Sequence, residues 1–337
     1  MSASSAPQLR QPYSVARLPW LARLHRNAFR SGRHDVWELT KFASRMAFYC
    51  GRSIWPFSVQ GEFGVDVAGE MRHFRFDARN RMFSAVYFDK YSSGYEPPVL
   101  ALVDALLPDD GVFFDIGSNW GYFSIYLASR PRFAGQIHAF EPWPTTYADL
   151  SSTVRQLGLD NVVHCHNFAL GESNHEGAMQ CGSHSGCAKL APEGSQGVAV
   201  KIQALDELRL PRPDLMKVDT EGHEEHVFAG ARSTLETHRP MLIFEHRYEL
   251  FLDAKTQKRS LELLESLGYR LFLPSWNGSV ENASDQRDEA AHQRGLRLTA
   301  CTSETRFDYP EHPDLFACPQ EKARLLETQG WIDQPLV

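Results

Sequence analysis

From Val112 onward, short apolar runs alternate with amphipathic stretches. VFFDI (112–116) is almost unbroken in its hydrophobicity, as expected of a parallel strand buried on both faces. YFSIYLASR (122–130) follows at helical spacing, QIHAFEP (136–142) predicts a strand, TTYADLSSTVRQLG (145–158) a helix and NVVHCHNFAL (161–170) a third strand. After a Gly-, Ser- and His-rich stretch (171–196) that reads as loop, VAVKIQAL (198–205) and DLMKVDT (214–220) predict strands, and HEEHVFAGARSTLETH (223–238) a helix. MLIFEH (241–246) is a strand and KTQKRSLELLESLG (255–268) a helix. YRLFLP (269–274) and DLFACP (314–319) close the pattern, with no helix between them and a polar insertion over about 277–309. Alternating strands and helices imply an α/β fold, a doubly wound Rossmann-like sheet that is mostly parallel. The last two strands predict an antiparallel pair at its end. Upstream, residues 35–57 have helical periodicity, FGVDVAG (63–69) and MRHFRFDAR (71–79) alternate like a hairpin, and EPPVLALVDALLPDDG (96–111) reads as a helix ended by Pro108 and Gly111.

This pattern divides the 337 residues into an arm (1–34), an extension (35–95) and a main domain (96–325) that contains the insertion. The arm holds six arginines (Arg10, Arg17, Arg23, Arg26, Arg30 and Arg33) and no acid, interleaved with Leu18, Trp20, Leu21, Leu24 and Phe29. Two readings stand: an amphipathic contact with an anionic membrane surface or a targeting segment, and a terminal tail or a helix packed on the domain. The net charge of −7 argues against a general nucleic-acid binder, and no apolar stretch reaches the ~20 residues that span a bilayer. Six scattered cysteines and the missing apolar core of a secretory signal point to a reducing, cytoplasmic setting. Nothing in the pattern fixes the oligomeric state.

The chemistry concentrates at the strand ends. FFDIGSNWGYFS places Asp115, Gly117, Asn119 and Gly121 where the first strand of the repeat turns into its helix, the ligand-binding end of such sheets. The glycines allow close backbone approach to a ligand. The spacing is G-x-N-x-G rather than the G-x-G-x-x-G of a nicotinamide site, and a carboxylate beside a helix N-terminus suits a ligand without a pyrophosphate. S-adenosylmethionine (SAM), with its ammonium and sulfonium, is such a ligand. Glu141, at the tip of the second strand, is placed to accept from both hydroxyls of a ribose. Asn167, at the end of the third, offers an amide to an adenine edge or serves as a strand-end cap.

LMKVDTEGHEEHVFAGA is the densest charged stretch at that end, with Lys217, Asp219, Glu221, His223, Glu224 and Glu225 inside nine residues. Glu224 and Glu225 read as a solvated first helical turn. Asp219, Glu221 and His223 are the catalytic candidates, with His223 first as a general base because imidazole titrates near neutrality. Lys217 reads as a counter-charge. Asp219, Glu245 and His246 form a possible divalent-metal set, although ion pairing explains the same charges. Cys181 and Cys187, with His184 between them, match no standard zinc spacing.

In order along the chain, Tyr95-Glu96, FDIGSNWGYFS, HAFEPWP, NFALGE, ALDEL, MKVDTEGHEEHVFAGA and MLIFEH resemble the FkbM family of SAM-dependent methyltransferases. The resemblance runs from about residue 90 to about 275. It implies SAM as methyl donor, a class I methyltransferase sheet with its antiparallel ending, and an O-methylation, often of a sugar or secondary metabolite. Trp120 departs from it as a bulky residue in the turn. Residues 1–90 and 277–310 lie outside it, which leaves acceptor choice to them. Two other functions fit the same fold: a nicotinamide-dependent oxidoreductase, and a non-catalytic SAM-fold binding protein.

Overall fold

The computed structural model describes residues 9–20, 22, 23, 26, 59–87, 95–181, 188–190, 196–246, 254–276, 296–309, 314–323 and 326. Strands β1 (Tyr13–Arg17), β2 (Gln60–Val67) and β3 (Glu70–Asp77) form an antiparallel sheet in that order. The β2–β3 hairpin is the one that alternation predicts. Phe63, Val65 and Val67 on β2, with Phe74 and Phe76 on β3, are buried at period two. Its two-residue turn, Ala68-Gly69, has φ of 52° and 90°, the two positive angles of a turn that matches strand twist.

The chain then runs through α1 (Pro97–Leu106), β4 (Val112–Ile116), α2 (Tyr122–Ala128), β5 (Gln136–Phe140), α3 (Pro144–Gln156) and β6 (Val163–His166). A four-stranded excursion follows: β7 (Ala169–Leu170), β8 (His175–Cys181), β9 (Ala188–Leu190) and β10 (Val198–Gln203), ordered β7-β10-β8-β9. The main fold resumes with β11 (Leu215–Val218), α4 (Glu224–Gly230), α5 (Arg232–Thr237), β12 (Met241–Glu245), α6 (Ala254–Ser266), β13 (Tyr269–Trp276), β14 (Leu296–Cys301) and β15 (Asp314–Pro319).

The central sheet has the order β14-β13-β15-β12-β11-β4-β5-β6. β12, β11, β4, β5 and β6 are parallel, while β15 and β13 run antiparallel to their neighbours. Successive residues of the inner strands feed opposite faces. Phe113, Leu215 and Ile243 join one core with α1 to α3, and Phe114, Met216 and Phe244 join the other with α4 to α6. Burial on both faces is the reason these strands lack polar alternation. The chain leaves β4 toward β6 and later returns to β11 on the other side of β4, so the strand order reverses between β4 and β11. Ligand crevices form at such a reversal.

The structure departs from the sequence pattern in three places. Residues 171–196, read as loop, contain β8 and β9. The stretch read as a polar insertion contains β14, which pairs with β13 through Leu271 to Trp276. The antiparallel ending therefore has three strands rather than two. The basic arm contributes β1, whose Tyr13 donates its hydroxyl hydrogen to the Tyr122 carbonyl at 2.6 Å. The helix expected over 35–57, together with Cys181, His184 and Cys187 as side chains, lies outside the described residues. Among the described residues no helix is long and apolar enough to cross a membrane.

Candidate active site

A cavity of about 370 Å³ opens at the carboxyl ends of β4, β5 and β11. The first wall is the turn after β4. Gly117 and Ser118 donate their amides to the Phe140 carbonyl at 3.0 Å each, which binds the turn to β5. Gly117 has φ of 79°, and a Cβ there would lie 1.8 Å from the Asp219 carbonyl oxygen. The tips of β4 and β11 approach this closely only because the residue is glycine. Asn119 is left-handed at φ 51° and its side-chain oxygen accepts from the Trp120 amide. Gly121, at φ 91°, faces away from the cavity toward Leu150 on α3. Trp120 is 2% exposed. It fills a cluster of rings from Tyr13, Phe74, Phe83 and Tyr122, with Phe83 at 4.8 Å. The bulky residue in the turn thus locks the N-terminal sheet to the back of the site.

Glu141, at the tip of β5, is buried and accepts two backbone amides, from Asn119 to Oε2 at 3.0 Å and from Trp143 to Oε1 at 2.8 Å. Burial pushes its carboxyl up to about 7, against the pull of those two amides. Asp115 is 1% exposed, and Ser124 donates to its Oδ2 at 2.6 Å. Burial raises its carboxyl too, with Lys217 and Ser124 acting the other way. Lys217 lies beside Asp115 in the β4–β11 register and donates to Asp219 Oδ2 at 2.7 Å. Its ammonium stands 4.8 Å from the Phe123 ring.

The loop between β11 and α4 is the second wall. Glu221 and Gly222 are left-handed, at φ 57° and 101°. Glu224 holds that loop: its Oε1 accepts from Thr220 N, Thr220 Oγ1 and Gly222 N at 3.0, 2.8 and 3.2 Å. Read from sequence as a solvated first-turn acid, Glu224 is instead buried and organises the loop. His223 lines the cavity and stacks on His226 with ring centroids 4.5 Å apart. Burial, reinforced by His226 and His175, lowers its pKa to about 4, so the ring is neutral at pH 7. The expectation that His223 titrates near neutrality fails for that reason.

The cavity brings together Asp115, Gly117, Asn119, Glu141, Asp219, Glu221 and His223 of the sequence candidates. Gly121 and Asn167 are outside its lining. The Asn167 amide nitrogen donates to the Glu141 and Pro142 carbonyls at 2.9 and 3.2 Å, tying β6 to β5. The proposed metal set is rearranged. Asp219, Glu221 and Glu245 have carboxylate oxygens within 4.8 Å of one another, while His246 turns its Nε2 to the Gln257 carbonyl at 2.7 Å. Three acids gathered this way do not by themselves specify a cation. Lining residues that were not among the sequence candidates include Met82, Met179 and Leu190, and also Tyr95, Glu96 and Phe168, which entered only as part of the family resemblance. Met179 and Leu190 come from the excursion sheet, where they pack with Trp143 and Val200.

Residues 115–271 match the family model of the methyltransferase FkbM domain. The hexuronic acid methyltransferase AglP of Haloferax volcanii is 28% identical over 148 residues, which cover 42% of this chain and 59% of that protein. This chain thus spans less than two thirds of AglP. Methyltransferase 1 of Beauveria bassiana is 30% identical over 209 residues, covering 51% of this chain and 78% of that protein. Among solved structures, methyltransferase FkbM from Methylobacillus flagellatus is similar over 42% of this chain and 35% of its own, at 19% identity and a TM-score of 0.34. An O-methyltransferase from Bacillus cereus in complex with S-adenosylhomocysteine (SAH) is similar over 65% and 77%, at 12% identity and a TM-score of 0.36. On the two sequence matches and the family model together, with the motif-bearing strand ends inside the matched span, the chain belongs to the FkbM family of methyltransferases.

Proposed function

We propose that the chain transfers a methyl group from SAM to a hydroxyl of a sugar, glycan or secondary metabolite, in a domain spanning about 96–325. The observation that carries this reading is one cavity lined at once by the glycine turn, by Glu141 and by the Asp219–Glu221–His223 group. The residues present fit SAM. Glu141 keeps free lone pairs for two ribose hydroxyls after accepting its two amides. Phe168, Met179 and Leu190 give apolar walls for a base, and Asn167, outside that lining, is proposed to hold the strand end that carries Phe168 through its bonds to the Glu141 and Pro142 carbonyls. Asp115 and Asp219 suit a cationic ligand.

Bound SAM supplies an electrophilic methyl carried on a sulfonium. Alignment of the acceptor against it is the main contribution of the protein, on the order of several kcal/mol. Asp219 and Glu221 are proposed to orient the acceptor hydroxyl by accepting its hydrogen bond. His223, unprotonated above about pH 5 because burial holds its pKa near 4, starts in the form that takes up a proton. As the oxygen–methyl bond forms and the sulfur–methyl bond breaks, the hydroxyl proton leaves to this group and then to solvent. Met82 and Ala85, from the extension, reach the cavity and are proposed to take part in acceptor choice.

Calorimetry with SAM and SAH, with NAD as control, tests the donor. Selective micromolar binding of the first two is expected, and a folded protein that binds NAD instead, or neither donor form, overturns the reading. Labelled methyl transfer to neutral sugars, with the product stable to mild alkali as an ether and unlike an ester, tests the acceptor atom. His223→Ala and Asp219→Ala should each bind SAH and lose turnover. Wild-type rates in both would remove these residues from the mechanism.

A further inference from the structure

Glu96 lies just ahead of the first helix of the domain, and local sequence gives it no work there. It occupies the N-cap position of α1, where an acid ordinarily accepts from the first free amides of the helix, yet its side chain makes no capping bond. The following residues, Pro97 and Pro98, explain part of this, because neither carries an amide hydrogen. The backbone is unusual as well. Glu96 is left-handed, at φ 48° and ψ 63°. An L-residue pays about 1–2 kcal/mol for that region, and a residue before proline is normally driven to extended angles. Such strain persists only where surrounding structure imposes it, and it gathers at ligand sites.

The strained conformation turns the carboxyl into the cavity shared with Asp115, Gly117 and Asp219. Glu96 Oε2 is buried there without a hydrogen-bond partner. The neighbouring acids are engaged: Asp115 Oδ2 by Ser124, Asp219 Oδ2 by Lys217, and Glu141 by two backbone amides. Charge points the same way. Asp219, Glu96 and Asp115 all act on the buried ammonium of Lys217, and Asp314 faces both Glu96 and that ammonium, so among the described residues four carboxyl groups share one cation. Burial raises the Glu96 carboxyl and Lys217 draws it back, the state of an acid short of positive partners. A buried acceptor oxygen is costly until a donor meets it.

Resting on the SAM reading above, we propose that Glu96 is the acceptor for the α-ammonium at the methionine end of the cofactor. The residue thereby selects for the amino-acid tail of the ligand, separately from the nucleoside contacts at Glu141. The ammonium brings the second positive charge that the Glu96–Asp115–Asp219 group lacks, and it carries the donors that Oε2 has none of.

The test is a four-way binding cycle by calorimetry: wild type and Glu96→Gln, each with SAH and with the SAH analogue that lacks only the α-amino group. Wild type should bind SAH about tenfold or more tightly than the desamino analogue, the scale of a lost charged hydrogen bond. Glu96→Gln should weaken SAH by a similar factor and leave the desamino analogue within about twofold of wild type. Equal weakening of both ligands by the substitution would overturn the proposal, since it would show a general effect on cavity shape. Equal affinity of wild type for the two ligands would overturn it without any variant, which covers the case of a variant that does not fold. Failure of wild type to bind either nucleoside would instead sink the SAM reading itself, and this one with it.

Discussion

Replacing Lys217 with methionine would test the electrostatics of the whole site, because its ammonium lies where four acidic fields meet. The residue is 5% exposed and its ammonium donates to Asp219 Oδ2 at 2.7 Å. Burial opposes its charge, but Asp219, Glu96 and Asp115 together outweigh burial and hold its pKa well above the ordinary lysine value. Methionine keeps most of the length and none of the charge. Removing one partner of a buried ion pair costs about 3–5 kcal/mol, because the other charge is left uncompensated. For a domain of this size that corresponds to a fall in Tm of roughly 10 °C. The pH dependence identifies the cause. In wild type the Lys217 contribution is complete below the ordinary lysine pKa and is lost only above its raised folded value, so it is flat from pH 5 to 9. In the variant the penalty comes from ionised carboxylates. Burial already raises Glu96 and Asp115, so protonation relieves the penalty as the pH falls. The Tm deficit should therefore be largest at pH 8 and clearly smaller at pH 5, measured by circular dichroism in matched ionic strength. Adding Asp219→Asn should recover part of the loss, since it removes one orphaned charge. An unchanged Tm would refute the reasoning. A deficit equal at both pH values would place the effect in packing against Phe123 rather than in charge.

Two further outcomes follow from the same geometry. Gly117→Ala combines a left-handed backbone, φ 79°, with a Cβ 1.8 Å from the Asp219 carbonyl, so a loss of about 3 kcal/mol or more and of SAH binding is expected; a wild-type urea midpoint with full affinity would contradict the close approach of β4 and β11. Glu141, raised from 4.5 to about 7 by burial, contributes stability that is complete below pH 4.5 and is lost as pH rises through 7, about 3 kcal/mol in all. Glu141→Gln should flatten the stability profile between pH 4.5 and 7 and weaken SAH binding, and an unaltered slope would show that the carboxyl is not desolvated.

The glycine turn and the strand-tip acids were readable in sequence because local pattern alone decides where they stand. A run such as VFFDI followed by Gly117 can only be a strand entering a turn, and that puts Asp115 at its end. Glu96 was not readable in this way. Its place in the cavity depends on how α1 packs over β4 and β11, a tertiary fact, although the acid-Pro-Pro start of the helix was a signal that the residue had no capping duty. Glu224 was misread because a run of acids looks solvated until the three donors that fold around one carboxylate oxygen are seen. Among its described side chains β8 buries only Met179, too few to announce a strand, whereas β14 buries Leu296, Leu298 and Cys301 and was hidden by the polar stretch read as one insertion around it. Trp120 is accounted for by Tyr13 and Phe83, residues far away in sequence. The pairing of Glu245 with His246 was avoidable, since consecutive strand residues point to opposite faces. In the structure Glu245 lines the cavity while His246 turns to α6.

The acids of this site do backbone work as well as charge work. Asn119 and Glu221 are both left-handed without being glycine, and each strained residue sits in a loop held by a buried carboxylate, Glu141 in the first case and Glu224 in the second. Each such backbone costs about 1–2 kcal/mol, comparable with one charged hydrogen bond, so the carboxylate and the strained loop are close to balanced. The consequence concerns how lesions are to be interpreted. Alanine at Glu141 or Glu224 removes an acceptor from backbone amides and releases a loop, and lost binding would then say little about ligand contact. Glutamine keeps one acceptor oxygen and tests charge with less damage to the loop. Glu96 differs from both, because its Oε2 holds no backbone group. Lys217 and Tyr95 attract its carboxyl, but Oε2 still meets no donor, and a bound cation is what would supply one.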